Sequence, residues 1–144
     1  MVALPMNHDR GRIDRVSIDE VPALSRDVAL DLPTIQSAWP DFESGFDALR
    51  GRKMMGLAYR DEGVYRLCSV RLDRDADNPL GLDETTIPGG SYLRLRLNGD
   101  VPAVYEQIAP AFDVLFELAD HDPERPLIEY YRAQGQIDCL VPLR

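Results

Sequence analysis

The sequence predicts an α+β domain made of two copies of a strand-helix-strand-strand unit, and three observations carry that prediction. Two amphipathic helical stripes each stand between strand-like segments. Both halves close in a hairpin of the same pattern, Tyr59-Arg60-Asp61-Glu62-Gly63 and Tyr131-Arg132-Ala133-Gln134-Gly135, which overlay without gaps. The opening strands match as well, Glu20-Val21-Pro22-Ala23 with Thr86-Ile87-Pro88-Gly89. An internal duplication follows, with pseudo-repeats over about 13–73 and 84–144 of one domain spanning 1–144.

Taken in order, Ile13 to Leu30 contains the first strand. From Leu32 to Leu49, the residues Ile35, Trp39, Phe42, Phe46 and Leu49 recur in steps of four and three, the stripe of a helix that buries one face. Pro40 is expected to kink this helix or mark its start. Met54–Tyr59 and Val64–Leu72 form a hairpin, and the Asp-rich stretch from Arg74 to Asp83 is the loop joining the halves. Tyr92 to Asn98 alternates strictly, with Leu93, Leu95 and Leu97 on one face and Tyr92, Arg94 and Arg96 on the other. Val104, Ile108, Phe112, Leu115 and Ala119 are the buried stripe of a second helix, and Pro110 is its expected kink. Leu127–Tyr131 and Ile137–Leu143 close the domain. The strands then form one antiparallel pseudo-two-fold sheet, with helices on one face and a ligand groove on the other.

Composition excludes several functions. The 144 residues carry a formal charge of -9, and Lys53 is the only lysine, so nothing resembles the clustered cations of a nucleic-acid or anionic-membrane surface. Cys68 and Cys139 fall in separate apolar runs, outside any metal or disulfide spacing. With only His8 and His121 to supply imidazole, no metal site, cofactor or catalytic triad is predicted. The glycines of Pro88-Gly89-Gly90-Ser91 are followed by a strand and no lysine, which argues for a turn and against a phosphate loop. The first ten residues lack a leader pattern and no window reaches membrane-spanning length, so the cytoplasm is the expected location.

The informative residue is Glu129, one carboxylate inside Leu127-Ile128-Glu129-Tyr130-Tyr131. A carboxylate among aromatic rings is poorly solvated and binds a cation or hydrogen-bond donor more strongly than an exposed one does. Strand phase puts Tyr131 on the face of Glu129 and Tyr59 on the face of Leu57. By the hairpin overlay Tyr59 and Tyr131 are partners across the pseudo-axis, Leu57 is the counterpart of Glu129, and the groove has two aromatic walls and one charge. Tyr92, by strand phase, and Trp39, on a helix stripe that equally suits the core, are further candidates.

The ordered set Ile87-Pro88-Gly89-Gly90-Ser91-Tyr92, Gly99, Ile128-Glu129-Tyr130-Tyr131 and Ile137 to Pro142 resembles the GyrI-like small-molecule-binding domain, the effector-binding half of some AraC-type and MerR-type multidrug-sensing transcription regulators. The resemblance implies a duplicated fold with a ligand groove between its halves. It implies Glu129 as the pocket acid for a bulky hydrophobic, aromatic or cationic molecule, and Tyr131 as the tyrosine of the same E-x-Y pattern. The sequence has no helix-turn-helix segment, so a stand-alone binding module without direct DNA contact is expected. Two alternatives stay open. Some members of the family resemble hydrolases of reactive electrophiles that use a glutamate with a tyrosine. Others resemble protein inhibitors of DNA gyrase, in which a protein partner would meet exposed acids such as Asp120, Asp122 and Glu124.

Overall fold

A computed structural model describes residues 3–144. It contains nine strands in one antiparallel sheet: β1 (Met6–His8), β2 (Gly11–Ile18), β3 (Val21–Ala29), β4 (Met54–Tyr59), β5 (Val64–Val70), β6 (Asp83–Ile87), β7 (Gly90–Asn98), β8 (Leu127–Ala133) and β9 (Gln136–Pro142). Two helices interrupt them, α1 (Leu32–Ser44) and α2 (Ile108–Leu118). The spatial order is β1-β2-β7-β9-β8-β4-β5-β3-β6. The α+β class, the antiparallel sheet and the two helices agree with the sequence prediction.

The order is symmetric about the β8–β4 pair, because β9 answers β5, β7 answers β3 and β2 answers β6. What the sequence suggested as one strand from Ile13 to Leu30 is two. Asp19 and Glu20 interrupt it without turning the chain back, since β2 and β3 keep one register against β7 and β6, and the two strands join opposite flanks of the sheet. The sheet must therefore curl until its flanks meet. They do so where Val21 pairs with Ile87 and Ile18 with Gly90. Val21 and Ile87 are thus hydrogen-bonded neighbours, and their resemblance in sequence does not make them counterparts.

Both helices pack on the outer face. Under α2 lie Ile13, Leu93, Leu95, Leu97, Ile137 and Cys139, and under α1 lie Leu24, Tyr65 and Leu67, with Tyr131 packed against both clusters. The inner face of the curl has a third apolar cluster containing Leu57, Cys68, Ile87, Tyr92, Ile128 and Leu140. Asp31 caps α1 by accepting from the Thr34 backbone N–H, and Pro33 tolerates the first turn because no intrahelical bond is needed from it. Pro40 lies inside α1, which ends at Ser44, so Leu49 is outside the helix and exposed. The second helical stretch is divided: a 3-10 turn over Ala103–Gln107 precedes α2, and Pro110 falls in the first turn of α2, where its missing N–H costs nothing. No helix among the described residues is long and apolar enough to cross a membrane.

Candidate functional site

Glu129 sits in the middle of β8, directly opposite Gly56 of the central strand β4. Alternation along β8 turns Ile128 and Tyr130 to the inner cluster and Leu127, Glu129 and Tyr131 to the helix side. The expected groove on the face away from the helices is therefore not where the acid lies. That face is filled by its own apolar residues, and Glu129 occupies the seam between the parts of the sheet covered by α1 and α2.

Two phenols converge on one carboxylate oxygen. Tyr131 donates to Glu129 Oε1 at 2.7 Å and Tyr65, from β5, donates to the same oxygen at 2.9 Å. Trp39 on α1 extends the chain by donating its indole N–H to the Tyr65 hydroxyl at 3.2 Å. Its ring meets Tyr131 edge-on at 5.2 Å and Tyr65 at 6.3 Å. Tyr65 reaches across the neighbouring strand only because residue 56 is glycine, since a Cβ there would collide with the Tyr65 hydroxyl.

The charge is held without a basic partner. The buried acids Asp75 and Asp138 are paired with Arg52 and with Arg96 and Arg132, whereas no arginine or lysine among the described residues forms an ion pair with the partly buried Glu129. Burial raises the Glu129 pKa above the ordinary carboxylate value, and the hydrogen bonds from Tyr131 and Tyr65 oppose that rise. Both tyrosines are pushed well above the usual phenol value, first by burial and then by the neighbouring carboxylate charge. No donor among the described residues reaches Oε2. No sealed side-chain oxygen among them lacks a partner, so Oε2 is not completely sealed from solvent.

Of the residues singled out in the sequence, the structure gathers Glu129, Tyr131 and Trp39. It separates Tyr59 and Tyr92 from them. Tyr59 is on the inner face, with Arg66 over its ring at 4.9 Å. Tyr92 is fully buried there, donating to the Pro88 carbonyl at 2.6 Å under the Arg125 guanidinium. A β-bulge between Tyr131 and Ala133 explains the error. It inserts one residue into β8 and shifts the strand phase against the gapless overlay. The ladders pair Gly56 with Leu67 and Glu129 with Cys139, and Leu67 and Cys139 are counterparts, so the counterpart of Glu129 is Gly56 and not Leu57. The acid and its counterpart thus face each other on the pseudo-axis. Tyr65 and Gly56 were missed, although a glycine inside a central strand is itself a sign of close approach.

No protein-family model and no curated protein sequence matches the chain. Among solved structures, the fold is similar to an integron cassette protein from the mobile metagenome of Vibrio cholerae, with a TM-score of 0.72 and 16% identity over 92% of this chain and 95% of that one. It is similar to SAV2435 bound to tetraphenylphosphonium, with a TM-score of 0.68 and 15% identity over 92% and 93% of the two chains. A hydrolase from Listeria innocua has a TM-score of 0.53 and 11% identity over 94% and 93%. At these identities the likeness establishes a shared fold.

Proposed function

We propose that this protein binds a bulky aromatic or cationic small molecule over the central strands, between α1 and α2, with Glu129 as the polar anchor, as the resemblance to GyrI-like effector-binding domains implies. The observation that carries the reading is the partly buried carboxylate with two phenols on Oε1, no donor on Oε2 and no basic partner among the described residues. A charge held in that way is incompletely compensated, and a lipophilic cation supplies the missing counter-charge without needing the hydration of a lysine. Trp39, Tyr65 and Tyr131 offer ring faces and edges to such a cation. The tetraphenylphosphonium in SAV2435, a protein of the same fold, is a molecule of this class and supports the reading.

The test is a titration of the protein with tetraphenylphosphonium and with a neutral aromatic of similar size, followed by the fluorescence of Trp39, the one tryptophan in the chain. The expected result is saturable cation binding that weakens by about 1–3 kcal/mol in Glu129→Gln, the scale for losing a charged partner at a desolvated site, with little change for the neutral compound. Absence of saturable binding in the wild type would exclude the pocket.

The Glu129–Tyr131 contact also favours a second reading, hydrolysis of a reactive electrophile. A carboxylate of raised proton affinity can accept a proton from water while a phenol donates to a leaving oxygen. Turnover of an epoxide-type electrophile that disappears in both Glu129→Gln and Tyr131→Phe would establish it.

A further inference from the structure

We propose that the inner-face rim formed by β2, β7 and β8 is a second binding site, for a small molecule carrying a doubly charged oxyanion of the phosphate-ester class. It is separate from Glu129 and lies on the other side of the sheet.

The two pseudo-symmetric halves differ at this rim. In the first half Asp27 pairs across strands with Arg66, and in the second half the corresponding positions hold the reversed pair, Arg96 with Asp138. The first pair is complete: Arg66 makes a two-pronged contact with Asp27, Nε at 2.7 Å and Nη2 at 3.0 Å, and a neutral residue, Tyr59, lies beside it. The second pair is not. Arg96 reaches Asp138 through Nε alone at 3.2 Å, and Arg132, the extra residue of the β8 bulge, donates its own Nε to the same oxygen at 2.8 Å. Two guanidinium groups thus share one buried carboxylate, and their outer nitrogens are not spent on it. One further contact is made by Arg132, from Nη1 to Gln136 at 3.3 Å.

A third guanidinium adds to this excess. Arg12 lies directly across the ladder from Arg96, a like-charge pairing that destabilises a sheet unless an anion bridges it. Among the described residues Arg12 makes no side-chain hydrogen bond or ion pair, and it is exposed. Arg10 completes the group, its Nη1 bonded to neutral Gln107 at 2.7 Å. These four arginines border one open cavity of about 470 Å³, with Asp9 on its rim and Asp138 beneath it, while the neighbouring Asp14 is already held two-pronged by Arg94. Counting that Arg94–Asp14 pair, five positive groups stand against three negative ones, a local reversal of sign in a chain whose net charge is -9. Gly11 holds the strand close, because a Cβ there would collide with the Arg96 carbonyl oxygen. Guanidinium groups with free outer nitrogens match the oxygens of a phosphate monoester in geometry and charge.

The experiment is calorimetric titration of the whole protein at low ionic strength with phenyl phosphate and with inorganic phosphate, repeated on Arg12→Gln and Arg15→Gln. Both substitutions remove one exposed charge from β2, but Arg15 lies on the other face of that strand. The expected result is one-to-one saturable binding that weakens about fivefold in Arg12→Gln and is unchanged in Arg15→Gln. Tighter binding of phenyl phosphate than of inorganic phosphate assigns the site to esters, and equal binding assigns it to the free anion. No saturable binding, or equal losses in the two variants, overturns the proposal.

Discussion

The binding role proposed for Glu129 sets its stability against its affinity, and protonation reports the balance. Burial raises its pKa above the ordinary carboxylate value of 4.5, so the folded protein holds the proton more tightly than the unfolded chain does. Stability attributable to this group is then greatest while it is protonated and falls as pH rises from the unfolded value through the folded one. Under the proposed role, cation affinity is expected to move the opposite way over the same window, because only the carboxylate attracts a cation. Glu129→Gln is accordingly expected to be more stable than wild type at neutral pH by on the order of 1 kcal/mol, since an amide oxygen accepts the same two phenolic hydrogen bonds without a charge to desolvate. Thermal melts of both proteins at pH 4 and pH 7 check this. The difference should be largest at pH 7, and a variant less stable than wild type at both pH values would contradict it.

At the scale of elements, the site depends on one small residue in β4. Gly56 gives Tyr65 a path across the strand to Glu129, and an added methyl group would displace the hydroxyl. Gly56→Ala is expected to cost about 1–3 kcal/mol in denaturant unfolding and to weaken cation binding even though the carboxylate remains. Tyr65→Phe should separate the two effects, because it removes the hydroxyl without forcing the ring aside. The same elements show what was legible in advance. Helical steps of four and three located both helices, and strict alternation from Tyr92 to Asn98 located β7, because those patterns report burial on one face. Residue chemistry and local phase singled out Glu129, Tyr131 and Trp39, which lie together in the structure. Tyr59 was misplaced because a one-residue bulge in β8 leaves no compositional mark, yet reverses which face the overlay assigns. Tyr65 was missed because its role depends on Gly56 across the ladder, a contact that strand phase within β5 does not report.

For the whole molecule, the curl of the sheet has a single meeting point. The strand interruptions at Asp19-Glu20 and Pro88-Gly89 lie against each other, and a Cβ on Gly89 would stand 2.6 Å from the Glu20 amide nitrogen and 2.9 Å from the Ile18 carbonyl oxygen. Both obstacles are backbone, so neither can rotate away as a side chain would. Closure there seals the inner cluster, where Leu57, Ile87, Tyr92 and Ile128 are almost wholly removed from solvent. Gly89→Ala is therefore expected to destabilise the fold by about 1–3 kcal/mol, toward the upper end because the strain falls on two strand ends at once. The site at Glu129 lies on the outer face and shares none of these atoms. Below the unfolding transition, cation binding by Gly89→Ala should match wild type, while amide hydrogen exchange quickens at Ile18, Val21 and Ile87 ahead of the β4–β8 pair. Uniform acceleration across all strands would instead mean that the closure and the central strands open as one unit.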